Sequence, residues 1–406
     1  MTRSIIALIL LSSVCSGQQI YDILLKNGHV IDPTNHRDGQ FDIAIVGNKI
    51  ASVGHDLPAA HARVVVEASK YYVTPGLIDI QAHVDTQGAA LNLEPDHTAL
   101  PNGVTTVVDA GGAGWKNFAN FKLKVIGHAK TRVLAFLNLS AMGFTGRDTP
   151  NDLPEMDPEA VARVIGENSK ILVGITIAHF RPRTWDVVDR AEKAAALSHT
   201  VVLLDFPTGP AGDQPDTILK HIRPGDIITH VYGSLAPQLD RSHNVQPWLE
   251  EARKRGVLLD VGHGAQGFWF RIAAPAIQQG FLPDTISTDL DQANVLLPRA
   301  TMAATLSKLL NLGMSVQQLI ERTTVNPARA IRRPELGTLS EGSVADVALF
   351  EVQNGSFGFL DSGYTRLSAD RRLRCVLTIR NGAVVWDSEG LTAPDASKAG
   401  PYSNFK

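Results

Sequence analysis

Alternating apolar and polar positions occur in short bursts at Ile23–Ile31, Ile43–Val46, Ile50–Val53 and Arg63–Glu67, the period of half-buried strands with turns between them. The first burst has an echo near the other end of the chain. Residues 23–31, Ile-Leu-Leu-Lys-Asn-Gly-His-Val-Ile, match residues 377–385, Leu-Thr-Ile-Arg-Asn-Gly-Ala-Val-Val. In each, an Asn-Gly pair separates two apolar runs, which predicts a two-residue hairpin turn with positive φ and a returning strand. Two such units predict one small sheet domain assembled from both chain ends, over 18–72 and 336–390, with a tail at 391–406.

Between them, apolar runs alternate with amphipathic stretches, the pattern of repeated β/α units around a buried parallel sheet. Strands are predicted at Gly76–Val84, Val104–Ala110, Val133–Leu139, Leu172–Ala178, Val201–Phe206, Ile227–Tyr232, Val257–Gly262 and Thr285–Leu290. Apolar residues three or four apart predict helices at Asn117–Ala129, Pro158–Asn168, Thr184–Leu197, Gln246–Arg255, Gly267–Gln279 and Ala300–Leu312. Eight strands flanked by one composite sheet point to an α/β chain with a (β/α)8 TIM barrel over 73–335. Trp115, Trp185, Trp248 and Trp269 lie in apolar helical contexts and read as core.

The 406 residues, 44% hydrophobic, suffice for a barrel of roughly 250 residues and an appendage. A formal net charge of -3 without a long Lys/Arg run excludes an electrostatic nucleic-acid footprint and leaves a small neutral or anionic substrate as the partner. Oligomeric state is open, a homo-oligomer included. At the amino terminus Arg3, the apolar run Ile5–Leu11 and the small residues Ser12, Ser13, Cys15, Ser16 and Gly17 form a secretory signal pattern over 1–17. That run is too short for a membrane span, which takes about 20 apolar residues. Export with cleavage after Gly17 removes Cys15 and leaves Cys375 as the only thiol. Lipid attachment at Cys15 is the alternative, which Ser12-Ser13-Val14 suit poorly.

The chemistry concentrates in a few phrases. Residues 75–85 read Pro-Gly-Leu-Ile-Asp-Ile-Gln-Ala-His-Val-Asp, and in a strand positions 81 and 83 aim at one face. Further on stand Gly103-Val104-Thr105-Thr106-Val107-Val108-Asp109-Ala110-Gly111, Asp260-Val261-Gly262-His263-Gly264, Ile286-Ser287-Thr288-Asp289-Leu290 and Asn326-Pro327-Ala328. In this order the phrases resemble the amidohydrolase superfamily, in its dihydroorotase-like amidohydrolase/deacetylase branch, over nearly all of the chain. The stretch 336–347 is similar to that family's return into the small domain.

The resemblance implies hydrolysis of an amide or ester bond of a small acyl compound by water activated on one or two Zn2+ ions. It places ligands at the carboxyl ends of the strands. His83, His230 and Asp289 match, with Asp289 also the proton acceptor from metal-bound water. Three positions do not: Gln81 stands for a histidine, Thr176 for the bridging carboxylated lysine, and Leu204 for the strand-five histidine. A threonine lacks the two oxygens that hold two cations together, so one ion at most is expected, on His83, His230 and Asp289 with Asp205 or Gln81 as further oxygen donors. Asp205 serves only if the alignment slips by one residue. His263, between two glycines at the end of strand seven, reads either as a substrate or oxyanion contact or as a plain turn residue. His179, after strand four, is a spare imidazole not assigned to the pocket. A barrel that has lost catalysis and binds a ligand or serves as a scaffold is the competing reading.

Overall fold

The computed structural model describes residues 20–85, 91–144, 153–178, 184–205, 215–233, 238–398 and 400. The signal segment, Cys15 and His179 lie outside the described residues. Among them, no helix is long and apolar enough to cross a membrane.

Strands from both chain ends share one eight-stranded sheet. Its spatial order runs Ala383–Asp387, Arg366–Arg380, Val347–Leu360, Tyr72–Pro75, Tyr21–Asp32, Arg37–Val46 and Lys49–Gly54, with Ala62–Glu67 also paired to Tyr21–Asp32. The halves join where Val347–Phe350 run antiparallel to Pro75–Tyr72. Ile23, Leu25, Ile43, Val347, Leu349 and Leu377 fill the core of this sheet.

The two Asn-Gly pairs do different things. Asn381-Gly382, at φ 54° and 78°, turns the expected hairpin between Arg366–Arg380 and Ala383–Asp387. Asn27-Gly28 does not turn: one strand runs through it from Tyr21 to Asp32, with a bulge where the register shifts between Leu25 and Gly28. The bulge is where this strand exchanges its parallel partner, Ala62–Glu67 before it and Tyr72–Val73 after it. Glycine is required there, because a β-carbon on Gly28 would lie 2.4 Å from Val73 Cγ2.

The second sheet curls as Leu77–Ala82, Val104–Gly114, Arg132–Asn138, Leu172–Ala178, Val201–Asp205, Ile227–Ile228 and Leu258–Leu259, each strand parallel to the next. The predicted eighth strand is not continuous. Two isolated parallel bridges, Asp260 with Thr285 and Ala82 with Leu290, close the ring instead, completing a (β/α)8-like barrel. The pleat breaks because Asp289 has φ 47° and its neighbours in strands six and seven, His230 and Gly262, have φ 62° and 47°. Ile78, Leu134, Phe136, Val173, Leu203 and Ile227 pack inside the barrel, closed by Ala328, Ala330 and Ile331 around the helix Val325–Ala330.

The helices fall close to prediction at Pro158–Glu167, Trp185–Ser198, Pro247–Lys254, Phe270–Gln278 and Met302–Asn311. The stretch predicted as one helix at 117–129 is a short α-turn, Phe118–Phe121, running into a π-helical segment, Lys122–Ile126. Trp115, Trp185 and Trp248 pack on the outer core. Trp269 does not: it lies under the Arg271 guanidinium, 4.1 Å from its centroid, and against Gly363.

Candidate functional site

Gln81, on the first barrel strand, and His83, just past its end, reach a single atom. His83 Nε2 lies 2.9 Å and Gln81 Nε2 3.3 Å from Asp289 Oδ1. Asp289 is presented from the strand-eight segment by its left-handed backbone, and its N–H donates to the Gln81 carbonyl at 2.7 Å. A non-glycine residue in this conformation stores strain that the surrounding contacts must hold.

Gln81 is locked from both ends. Its nitrogen faces Asp289, while its Oε1 accepts the Thr229 hydroxyl at 2.6 Å. Thr229 Oγ1 is also 2.8 Å from Asp260 Oδ2, and Asp260 further receives Thr285 at 2.6 Å and Ser287 at 2.5 Å. Burial pushes the Asp260 carboxyl up, against the pull of these hydroxyls.

The second pair is His230 with Asp205. Nε2 of His230 lies 2.8 Å from Asp205 Oδ1, and Nδ1 lies 2.5 Å from the Gly262 carbonyl oxygen. Acceptors on both ring nitrogens call for a proton on each, an imidazolium held by a carboxylate. Burial opposes that charge, but Asp205, then Asp289 and the Gly262 carbonyl, outweigh it and raise His230 to about 9. His83 behaves alike: burial lowers it, and the hydrogen bond and charge of Asp289, with Asp109 and Asp291, raise it to about 9.

Strand five shows why Asp205 stands here and Leu204 does not. Leu203 packs inside the barrel and Leu204 outward among the helices. Side chains alternate along a strand, so Asp205 shares the inner face with Leu203. Asp205 rather than Leu204 thus faces the pocket, the one-residue slip on which its service depended. Thr176 is buried, its Cγ2 set so close to Gly111 that a β-carbon there would lie 2.2 Å away, and its hydroxyl has no partner among the described residues.

These residues do not fit the divalent centre that the resemblance implies. His83, His230 and Asp289 are divided between two pairs, and the Gln81 oxygen is turned away to Thr229. Among the described residues no three His, Cys, Asp or Glu side chains are arranged to hold an ion. A single oxygen on Thr176 cannot bridge two cations.

Of the two readings of His263, its surroundings suit the turn residue. It is fully buried, stacked on Phe268 with centroids 4.8 Å apart, and its Nε2 takes the Lys308 ammonium at 2.6 Å while Nδ1 faces the Gly264 carbonyl at 3.0 Å. Neither ring nitrogen is presented to a substrate. Burial and the Lys308 charge hold its pKa well below the ordinary value. Lys308 escaped the sequence reading; its only signal was a lysine amid Leu306, Leu309 and Leu310 on one apolar helix.

Comparison with known proteins bears on the chemistry. A model of the amidohydrolase family matches residues 270–385. A deacetylase of Brucella anthropi is 31% identical over 86% of this chain and 88% of its own length. The chain belongs to the amidohydrolase superfamily. A deacetylase of Agrobacterium fabrum is 32% identical over 79% of this chain and 81% of its own. Among solved structures, an adenine deaminase is 28% identical with a TM-score of 0.82, and a dihydroorotase 28% identical with 0.79. Each match covers 90% of this chain and 99% of the other. With these relatives, the chain is a hydrolase acting on C–N bonds. Members of the superfamily typically use a divalent metal.

Proposed function

We propose that this superfamily member hydrolyses an amide or ester bond of a small acyl compound with two imidazolium–carboxylate pairs. The observation that carries the reading is the approach of Gln81 and His83 to Asp289 beside the His230–Asp205 pair, at the carboxyl ends of barrel strands where such folds keep their chemistry. Asp289 accepts the proton of the attacking water. The buried imidazolium of His83 or His230 supplies positive charge to the developing oxyanion, and the other protonates the leaving nitrogen or oxygen. The amino-terminal signal pattern supports export of the chain.

A panel of acetylated and cyclic amides and small acyl esters, assayed with and without chelator, tests this. Turnover that survives chelation and falls in Asp289→Asn supports it. A second reading, a non-catalytic binding protein, is favoured by the neutral Gln81 and Thr176 in two ligand positions. It predicts no turnover of any panel member, with a thermal shift on binding one.

A further inference from the structure

We propose that Lys308 is a positioning residue for both histidine–carboxylate pairs, acting through the Gly262-His263-Gly264 turn. The inference rests on the functional reading above and extends it to a group outside the pocket.

Lys308 is fully buried in the helix Met302–Asn311, and its ammonium has three protons and three acceptors. These are His263 Nε2 at 2.6 Å and the carbonyls of Pro298 and Arg299, each at 3.1 Å. Donation into Nε2 fixes His263 as the tautomer with its proton on Nδ1, which donates to the Gly264 carbonyl. The side chain therefore ties together the two segments that flank the site, 262–264 and 298–299.

Both glycines of the turn touch the chemistry. The Gly262 carbonyl takes Nδ1 of His230 and so sets which nitrogen faces Asp205. At Gly264 a β-carbon would lie 2.2 Å from Asp289 Oδ2, so the backbone packs directly on the proton acceptor. The turn carries φ 47° and 46° at its glycines, a geometry that the wider backbone leaves open to them and that neighbours must select. Ser362, at the tip of the long hairpin Val347–Arg380, touches the carbonyls of His263 and Gly264 at 3.2 Å from the other side. From the far segment, Asn294 Nδ2 donates to the Asp289 carbonyl at 2.7 Å and receives the Ala300 N–H at its own carbonyl. Lys308 is the charged member of this clamp.

The test uses full-length protein with ¹⁵N-labelled histidine. In Lys308→Met the His230 ring resonances should shift or split relative to wild type as Nδ1 loses its fixed acceptor. On a panel substrate kcat should fall roughly 10- to 100-fold with KM little changed, the effect of a small misplacement. His263→Leu, which removes the acceptor for Lys308, should do the same, and His263→Gln, which keeps one, should restore much of kcat. If Lys308→Met does not fold, the two His263 variants carry the test. Unaltered His230 resonances, or equal kcat in His263→Leu and His263→Gln, would overturn the proposal. The spectra read positioning even if no panel substrate turns over, an outcome that would count against the hydrolase reading alone.

Discussion

Gln81 accepts the hydroxyl of Thr229 at 2.6 Å and turns its nitrogen to Asp289 at 3.3 Å. One neutral side chain thereby connects strand six to Asp289 in the strand-eight segment. Truncating it removes one contact from buried Thr229, which keeps Asp260, and one from part-buried Asp289, which keeps His83. Gln81→Ala should cost about 1–3 kcal/mol of stability, read as the urea midpoint with unchanged slope. A change below a few tenths would mean that the contacts are incidental.

Restoring ligand types at two positions should alter metal affinity. Gln81→His with Thr176→Lys returns an imidazole beside His83 and an amine able to carry a bridging carbamate. Elemental analysis after zinc dialysis should show clearly more zinc in the double variant than in wild type. Equal content in both would show that the pocket has moved beyond repair at these two positions.

Gly264 leaves no room for a side chain, at φ 46° and with Asp289 Oδ2 in the way. Gly264→Ala should lower stability by about 1–3 kcal/mol and cut kcat more than it raises KM. Thermal unfolding and steady-state kinetics on one preparation check both. A stable variant with native kcat would disprove the packing argument.

Asp42 offers a pH test away from the site. It accepts Lys26 Nζ at 2.5 Å and the N–H groups of Asn27 and Leu57 at 2.7 and 2.8 Å, bracing the Asn27-Gly28 bulge. Burial raises its pKa, but these donors together hold the carboxyl below its ordinary value. A depressed acid contributes stability that is present above its unfolded value of about 4 and lost as pH falls through the folded one. The Tm gap between wild type and Asp42→Asn should be full at neutral pH and shrink towards pH 3. A gap independent of pH would refute the assignment.

Much of this architecture was legible because strand and helix periods differ and the apolar runs are long. Seven barrel strands and the Asn381-Gly382 hairpin follow from pattern alone. The misses have physical reasons. Asn27-Gly28 has the dipeptide of a turn, yet a neighbouring strand exchange makes it a bulge. Strand eight reads as continuous, but the left-handed Asp289 interrupts it. Leu204 and Asp205 differ by one residue, and a slip of one exchanges the two faces of a strand. Lys308 drew no assignment from its helix, since its acceptors come from segments about 10 and 45 positions away.

The central claim is that paired side chains, with no resident ion, carry the hydrolysis. The most direct measurement is elemental analysis of the purified, zinc-exposed and then desalted full-length protein, alongside its turnover of a panel amide in excess chelator. The account predicts zinc far below one ion per chain and a rate unchanged by chelation. Stoichiometric zinc, with activity abolished by its removal and regained on its return, would contradict it.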